Sequence, residues 1–140
     1  MSLAPGAPPD VPPQLRARVR YSTALARSIP VVTANGEIDA ANALTLSRHV
    51  EAELDSVSRL VVDLSALEFF GTQGFSILHR INVMCSRFAV NWTLVAGPEV
   101  DRVLHICDPD GGLPVADTLE AALRAVTRPP RSHLRLVSNR

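Results

Sequence analysis

One short polar segment holds the side chain best placed to do chemistry, the hydroxyl of Thr72. The sequence runs from an apolar strand pattern, Leu60–Leu64, through the small residues of Gly71–Gly74 into a helical pattern over Gln73–Arg87. A strand, a tight turn and a helix in this order would point the Thr72 hydroxyl and the first helical N–H groups outward together. Such helix N-termini attract negative charge, including phosphate. We call Gly71–Gly74 the elbow and predict that it is the functional site.

The same hydroxyl also suits a purely structural role. As a helix N-cap it would accept a hydrogen bond from the N–H of Phe75 or a neighbouring residue, a bond worth about 1 kcal/mol. Asp39 has a similar pair of interpretations, as the N-cap of a helix that begins at Ala40 or as a direct partner contact. Asp63, at the end of the strand before the elbow, is predicted to be structural.

No pattern in the sequence predicts catalysis or a bound cofactor. It contains no glycine-rich nucleotide loop and no G-x-S-x-G nucleophile motif. The four histidines lack the spacing of metal ligands and are expected on solvated helix surfaces; they are His49, His79, His105 and His133. We therefore expect a binding protein rather than an enzyme, with no cofactor and no metal.

Size and charge limit the class of protein further. The 140 residues, of which 46% are apolar, suffice for one domain with a single core. The 14 basic residues, all of them arginine, balance 14 acidic residues, so no net charge attracts nucleic acid or anionic lipid. The sequence lacks both an apolar run of about 18 residues and the pattern of a secretory signal. We expect a cytoplasmic protein with no membrane span and no direct nucleic-acid binding.

Strand and helix patterns that must position the elbow alternate along the chain. The predicted elements are, in order, strands Arg16–Ala24 and Ile29–Ala34, a helix from Ala40 to about Asp55, strand Leu60–Leu64, helix Gln73–Arg87, strand Trp92–Ala96, a short helix after Gly97, strand Leu113–Val115, and a helix capped by Asp117 or Thr118. Residues 1–14 are a proline-rich tail predicted to be disordered, and residues 128–140 are a basic tail predicted to be flexible.

This ββαβαβαβα order predicts an α/β fold with a mixed, mostly parallel sheet of about five strands and helices mainly on one face. Right-handed crossovers would bring the elbow and the loop Gly36–Asp39 to the same carboxyl edge of the sheet. Cys85 and Cys107 lie on apolar helical stripes whose ends would meet at the opposite edge. We expect two free, packed thiols there rather than a regulatory disulfide, since cytosolic thiols stay reduced.

With its motifs in this order, the sequence resembles the STAS domain family, which includes anti-sigma factor antagonists and also occurs in sulfate transporters. Gly36–Asn42 is similar to the family's G-[ED]-[LI]-D-x-x-[NT] element, and Val62–Ser65 is similar to its V-[LV]-D-L-S strand. The elbow segment Phe70–Phe75 is similar to [FI]-D-S-[ST]-G-L. The resemblance covers residues 15–127, the predicted STAS domain.

The resemblance implies a partner switch. An anti-sigma factor with a GHKL-type, kinase-like ATP-binding fold would bind this chain and release its sigma factor. The implied partner-binding residues are Glu37, Asp39, Gly71, Thr72, Gln73 and Gly74. Thr72 stands in place of the family's phosphate acceptor, whereas Gly71 and Gln73 replace the aspartate and the second hydroxyl residue of phosphorylated members.

Three alternatives remain open at this point. The chain can be an antagonist that is never phosphorylated, an antagonist regulated through Cys85 and Cys107, or a STAS subunit of a lipid or ion transport machine.

Overall fold

The computed structural model describes residues 18–128, and its first element is a long antiparallel hairpin. Strand β1 (Val19–Ala26) pairs along its whole length with β2 (Ile29–Ile38), from Val19 opposite Gly36 to Ala26 opposite Ile29. The predicted tails lie outside the described residues apart from Arg128, and so do Arg16 and Ala17 of the predicted first strand.

Parallel strands extend the sheet from the hairpin in the order β1-β2-β3-β5-β6. The further strands are β3 (Arg59–Asp63), β4 (Leu67–Phe70), β5 (Asn91–Val95) and β6 (Val115–Ala116). β3 pairs with the first part of β2, and β4 pairs with its last part, so that β4 continues along β2 beyond the end of β3. Residues 18–128 thus form the predicted mixed, mostly parallel sheet, with six strands instead of about five.

The strand that the sequence analysis missed is β4. Its Leu67 and Phe70 are buried whereas Glu68 and Phe69 are exposed, so apolar and polar residues do not alternate as in a regular strand. The pairing of β2 with β4 has a register shift between Gly36 and Glu37, which accommodates this irregular pattern.

Helices cover both faces of the sheet within the described residues. They are α1 (Ala43–Glu51), α2 (Gln73–Arg87), α3 (Gly97–Cys107) and α4 (Leu119–Thr127), with a short 3₁₀ turn at Leu54–Ser56. The first three pack into the larger core, and α4 packs into a smaller core on the other face. The prediction that helices lie mainly on one face is therefore confirmed. None of the helices in residues 18–128 is long and apolar enough to cross a membrane.

The helical spacing of apolar residues predicts the side of each helix that faces the core: Ala43, Leu46, Val50 and Leu54 in the first helix, Phe75, Leu78, Ile81, Cys85 and Phe88 in the second, and Leu119, Ala122, Leu123 and Val126 in the last. The structure largely confirms these stripes, although the helix ends are shifted. Ala43, Leu46, Val50 and Leu54 are all buried, although α1 begins at Ala43 rather than Ala40 and ends at Glu51. In α2 the predicted Leu78, Ile81 and Cys85 are buried and Ile77 joins them, while Phe75 is half-buried and Phe88 is exposed. Leu119 of α4 is likewise exposed, in contrast to Ala122, Leu123 and Val126. The shorter helices leave the polar segment Asp39–Asn42 as a loop beside the elbow.

Candidate functional site

The elbow and the loop after β2 form one surface. β4 ends at Phe70 and α2 begins at Gln73, so the elbow connects them directly. The Gly71 N–H donates to the carbonyl of Ile38 at 2.9 Å, and a Cβ built on Gly71 would lie 3.7 Å from the Cα of Asp39. The two segments are more than 30 residues apart in sequence, and the parallel pairing of β2 with β4 joins them. This juxtaposition is the one expected from the right-handed crossovers.

Thr72 is exposed at the first turn of α2, and its hydroxyl does not cap the helix. No side-chain capping bond forms there within residues 18–128; instead the Phe75 N–H donates to the backbone carbonyl of Thr72 at 3.0 Å. Thr72 already has helical backbone angles, φ −63° and ψ −26°, whereas an N-cap residue that uses its side chain has extended angles. The predicted cap is therefore wrong, and the Thr72 hydroxyl is left at the surface.

Two threonines allow this difference to be measured. Thr118 has extended angles and accepts a hydrogen bond from the Ala121 N–H at 3.1 Å, which makes it the N-cap of α4. We expect Thr118→Ala to lower the free energy of unfolding by about 1 kcal/mol. Thr72→Ala should change it by less than about 0.5 kcal/mol, because no capping bond is lost. Denaturant unfolding of both variants tests this, and an equal loss at both positions would restore Thr72 as a cap.

The two glycines of the elbow differ in how much space surrounds them. A Cβ on Gly74 would clash with the ring of Phe70, which is fully buried, so the first turn of α2 rests directly on that ring. A Cβ on Gly71 would meet its nearest neighbour, the Oε1 of Gln73, at 3.3 Å, and the Cε2 of Phe69 at 3.4 Å. Gly74 is thus required by close packing, whereas the place of Gly71 has room for a small side chain with slight adjustment.

Both acidic residues predicted at this surface are bound by one arginine. The Nη2 of Arg18 lies 2.8 Å from the Oε1 of Glu37, and its Nη1 lies 2.7 Å from the Oδ2 of Asp39. The three side chains are partly buried, so the pairs are better defined than fully exposed ones. Gly36 allows this approach: it has φ +111°, and a Cβ there would run into the backbone carbonyl of Arg18.

Arg18 is a site residue that the sequence analysis missed. The signal was the hairpin register, because pairing of Val19 with Gly36 places Arg18 opposite Glu37 one step further out. The register can be derived from the sequence only once Arg27 and Ser28 are known to be the two residues of the hairpin turn.

Asp39 does not cap α1. Its Oδ1 accepts from the Ala41 N–H at 2.9 Å, and its own N–H donates to the Oδ1 of Asn42 at 2.9 Å. These local bonds hold the residues before α1 in a loop and delay the helix to Ala43. Asp63 has the predicted structural role, since its Oδ1 accepts from the N–H of Ser65 at 3.0 Å and from its hydroxyl at 2.6 Å.

An exposed aromatic side chain borders the elbow, and an exposed leucine lies in the first turn of the helix that follows Asp39–Asn42. Phe69, whose ring lies against Gly71, is 40% exposed, and Leu44 in the first turn of α1 is 47% exposed. Exposed aromatic residues beside polar groups are typical of protein–protein contacts, where they supply much of the binding energy. The predicted polar residues thus lie beside apolar ones.

The cysteines form no disulfide and differ in environment. Cys85 is buried in the core, and this burial raises the pKa of its thiol to about 12. Cys107 at the end of α3 is half-buried. Because the thiolate is the reactive form, Cys85 is protected both by packing and by its protonation.

We expect thiol titration to reflect this difference. At pH 8 the native protein should react with a thiol reagent at Cys107 within minutes, while Cys85 reacts only after unfolding. The denatured protein should then yield two thiols. A native mass two hydrogen atoms lower, restored by reductant, would contradict the expectation of free thiols.

No metal site is formed by the described residues: among residues 18–128, no three His, Cys, Asp or Glu side chains are grouped to hold an ion. His49 instead stacks on Tyr21 with ring centroids 5.0 Å apart and lies 3.2 Å from the hydroxyl of Thr23. His105 lies with its Nδ1 2.9 Å from the carbonyl of Asp101, one turn back along α3.

Known proteins share this fold and sequence pattern. The family model described as STAS domain matches residues 21–122. In Mycobacterium tuberculosis, Osmosensory protein A is 37% identical over 97 residues, which are 66% of this chain and 61% of that protein. Anti-sigma-F factor antagonist RsfA of the same species is 36% identical over 102 residues, covering 70% of this chain and 80% of that protein. Anti-sigma-F factor antagonist RsfB is 30% identical over 99 residues, covering 70% and 81%.

Two solved structures of anti-sigma factor antagonists resemble the chain. The crystal structure of an anti-sigma factor antagonist from Mycobacterium paratuberculosis superposes with a TM-score of 0.70 at 32% identity, covering 79% of this chain and 95% of that one. The structure of the anti-sigma factor antagonist SpoIIAA in its unphosphorylated form superposes with a TM-score of 0.61 at 17% identity, covering 77% and 96%. At this low sequence identity, the superposition on SpoIIAA shows a shared fold.

Proposed function

The chain belongs to the STAS domain family, and on that premise we propose that it is an anti-sigma factor antagonist, which binds an anti-sigma factor and so frees a sigma factor. The observation that carries the proposal is the single surface that the elbow forms with Glu37 at the end of β2 and with Asp39 just after it. The names of RsfA, RsfB and the structure from M. paratuberculosis support it. Exchange of this kind occurs where sigma factors act, so we also propose a cytoplasmic location.

The surface is suited to specific docking because its polar groups are already ordered. Arg18 holds Glu37 and Asp39 in fixed positions, which reduces the conformational entropy that a partner contact must overcome. Phe69 and Leu44 would supply apolar contact around the exposed Thr72 and Gln73. A mainly apolar partner face, without basic groups opposite Thr72, fits this combination.

We further propose that phosphorylation of Thr72 switches the contact off. Its hydroxyl is exposed and makes no capping bond within residues 18–128, so a phosphate can be added without breaking the helix start. A phosphate adds a charge of about −1.5 to −2. It would stand beside the carboxylates of Glu37 and Asp39. The added negative charge would have to be buried against the partner without a neutralising group, which would weaken binding. An anti-sigma factor with a GHKL-type, kinase-like ATP-binding fold would supply the phosphate.

Release of a sigma factor is the direct test. The full chain is added to a preformed complex of an anti-sigma factor with its labelled sigma factor from the same genome, and release is followed by fluorescence anisotropy. We expect release to saturate at one equivalent for a cognate pair. If no such pair of the organism releases its sigma factor, the proposal is wrong.

Two exposed phenylalanines provide a matched pair of variants. Phe69 beside the elbow is 40% exposed and Phe88, just after the far end of α2, is 44% exposed. We expect Phe69→Ala to raise the concentration needed for half-maximal release at least tenfold, and Phe88→Ala to change it less than twofold. Circular dichroism melting of both variants controls for folding. An equal effect of the two variants on this concentration would show that the partner does not contact the elbow.

A further inference from the structure

We propose that the end of the sheet opposite the elbow carries a binding site for an organic phosphate. A cleft of about 390 Å³ opens there, within the size range of small-molecule sites. We call it the arginine cleft, lined by Arg27, Ile29, Arg59, Arg124, Thr127 and Arg128. The site is independent of the proposed antagonist function, which uses the carboxyl edge.

The fold gathers the four arginines from three separate segments. Arg27 lies in the turn between β1 and β2, and Arg59 is the first residue of β3. Arg124 is in the last turn of α4, and Arg128 follows that helix directly. Because β2 and β3 run parallel from this end towards the elbow, the cleft and the elbow lie at opposite ends of the sheet.

Acidic side chains only partly neutralise the cleft. Glu120 pairs with Arg27 and lies 3.7 Å from the Nη1 of Arg124. Within residues 18–128 neither Arg59 nor Arg128 forms an ion pair. The cleft therefore concentrates positive charge in a chain whose total formal charge is zero.

The turn that carries Arg27 is not explained by hairpin stability. Arg27 has φ +53° and Ser28 has φ +66°, the left-handed angles of a two-residue hairpin turn that favours asparagine and glycine. A residue with a long side chain is disfavoured at such angles. Strain retained at a charged position indicates a use for the charge. The Arg27 guanidinium pairs with Glu120 of α4, and this pair holds it at the cleft.

The lining indicates the chemistry of the ligand. Guanidinium groups form paired hydrogen bonds with phosphate oxygens, and several of them together bind a group with two or more negative charges. The exposed side chain of Thr127, with the small exposed part of Ile29 below it, would contact an uncharged part of the same molecule. A phosphate monoester or a diphosphate on a small organic group satisfies both. A soluble nucleotide and a phospholipid headgroup share this chemistry.

Calorimetry with the full chain tests the proposal. At low ionic strength, inorganic pyrophosphate and ADP should bind at one site, and Arg59→Gln with Arg128→Gln should weaken binding at least tenfold. The control, Arg48→Gln with Arg80→Gln, makes the same change of charge on α1 and α2 and should weaken it less than twofold. Flotation with phosphatidate vesicles against phosphatidylcholine vesicles separates the lipid source from the soluble one. Absence of binding to all three phosphate probes, or equal weakening by the control, overturns the proposal.

The variant Arg27→Asn separates binding from folding. Asparagine suits the left-handed turn, so we expect an unchanged or higher melting temperature together with a pyrophosphate affinity lowered at least threefold. Sigma-factor release should be unchanged, because the elbow is untouched. Binding of a polyglutamate peptide without binding of pyrophosphate or ADP would overturn the proposal and identify a docking surface for acidic protein segments.

Discussion

Replacement of Thr72 by glutamate is expected to weaken binding to the anti-sigma factor at least tenfold, about 1.4 kcal/mol, while the fold stays intact. The new carboxylate would stand beside Glu37 and Asp39, whose charges Arg18 balances only in part. The fold is expected to tolerate it because Thr72 makes no capping bond to lose, and a negative charge at a helix N-terminus is favourable. Calorimetry with the purified anti-sigma factor measures the change in affinity.

Two controls make this result specific. Thr72→Ala should bind like the wild type and should take up no phosphate when the anti-sigma factor and ATP are added. Ser86→Glu places the same charge on an exposed hydroxyl position near the other end of α2 and should leave affinity unchanged. Equal affinity of the wild type and Thr72→Glu would contradict the charge mechanism. An unchanged mass of the wild type after incubation with a binding anti-sigma factor and ATP would indicate an antagonist that is not switched at Thr72.

Much of the fold was predictable because its elements depend on local patterns. The apolar run of β3 and the helical stripe of α1 have their periodicity in the sequence itself, and the crossover rule then places the elbow beside Gly36–Asp39. The strand β4 was missed since its pattern is broken where β2 changes register. That irregularity depends on pairing with β2, which local periodicity does not contain.

The candidate site was predictable in position but not in bonding. Thr72 and Asp39 are residue types that commonly cap helices, and local sequence favours that role for both. In the structure the Asp39 carboxylate binds Arg18 and the Ala41 N–H instead, and α2 begins without a side-chain cap. Competition from Arg18, which directly precedes β1, decided the first outcome. The helical backbone angles of Thr72, just after the end of β4, decided the second outcome, the missing side-chain cap of α2.

Replacement of Leu78 by alanine is expected to lower the free energy of unfolding by about 2–5 kcal/mol. Leu78 has no exposed surface and lies on α2 in the larger core, where a truncated side chain leaves a cavity. Leu44→Ala, at a position 47% exposed on α1, is the control with the same chemical change and should cost less than about 1 kcal/mol. Urea unfolding of both variants provides the comparison, and equal midpoints would show that the stripe on α2 is assigned wrongly.

The same variant also tests how the elbow is held. α2 begins at the elbow, so a cavity under Leu78 should loosen the first turn and lower affinity for the anti-sigma factor under conditions in which the variant remains folded. The close contact of Gly74 with the buried ring of Phe70 would instead keep the first turn in place, because it fixes that turn to β4 directly. A large loss of stability with unchanged affinity would therefore assign the positioning of Thr72 to the Phe70–Gly74 contact. A parallel loss of both would assign it to the packing of the whole helix.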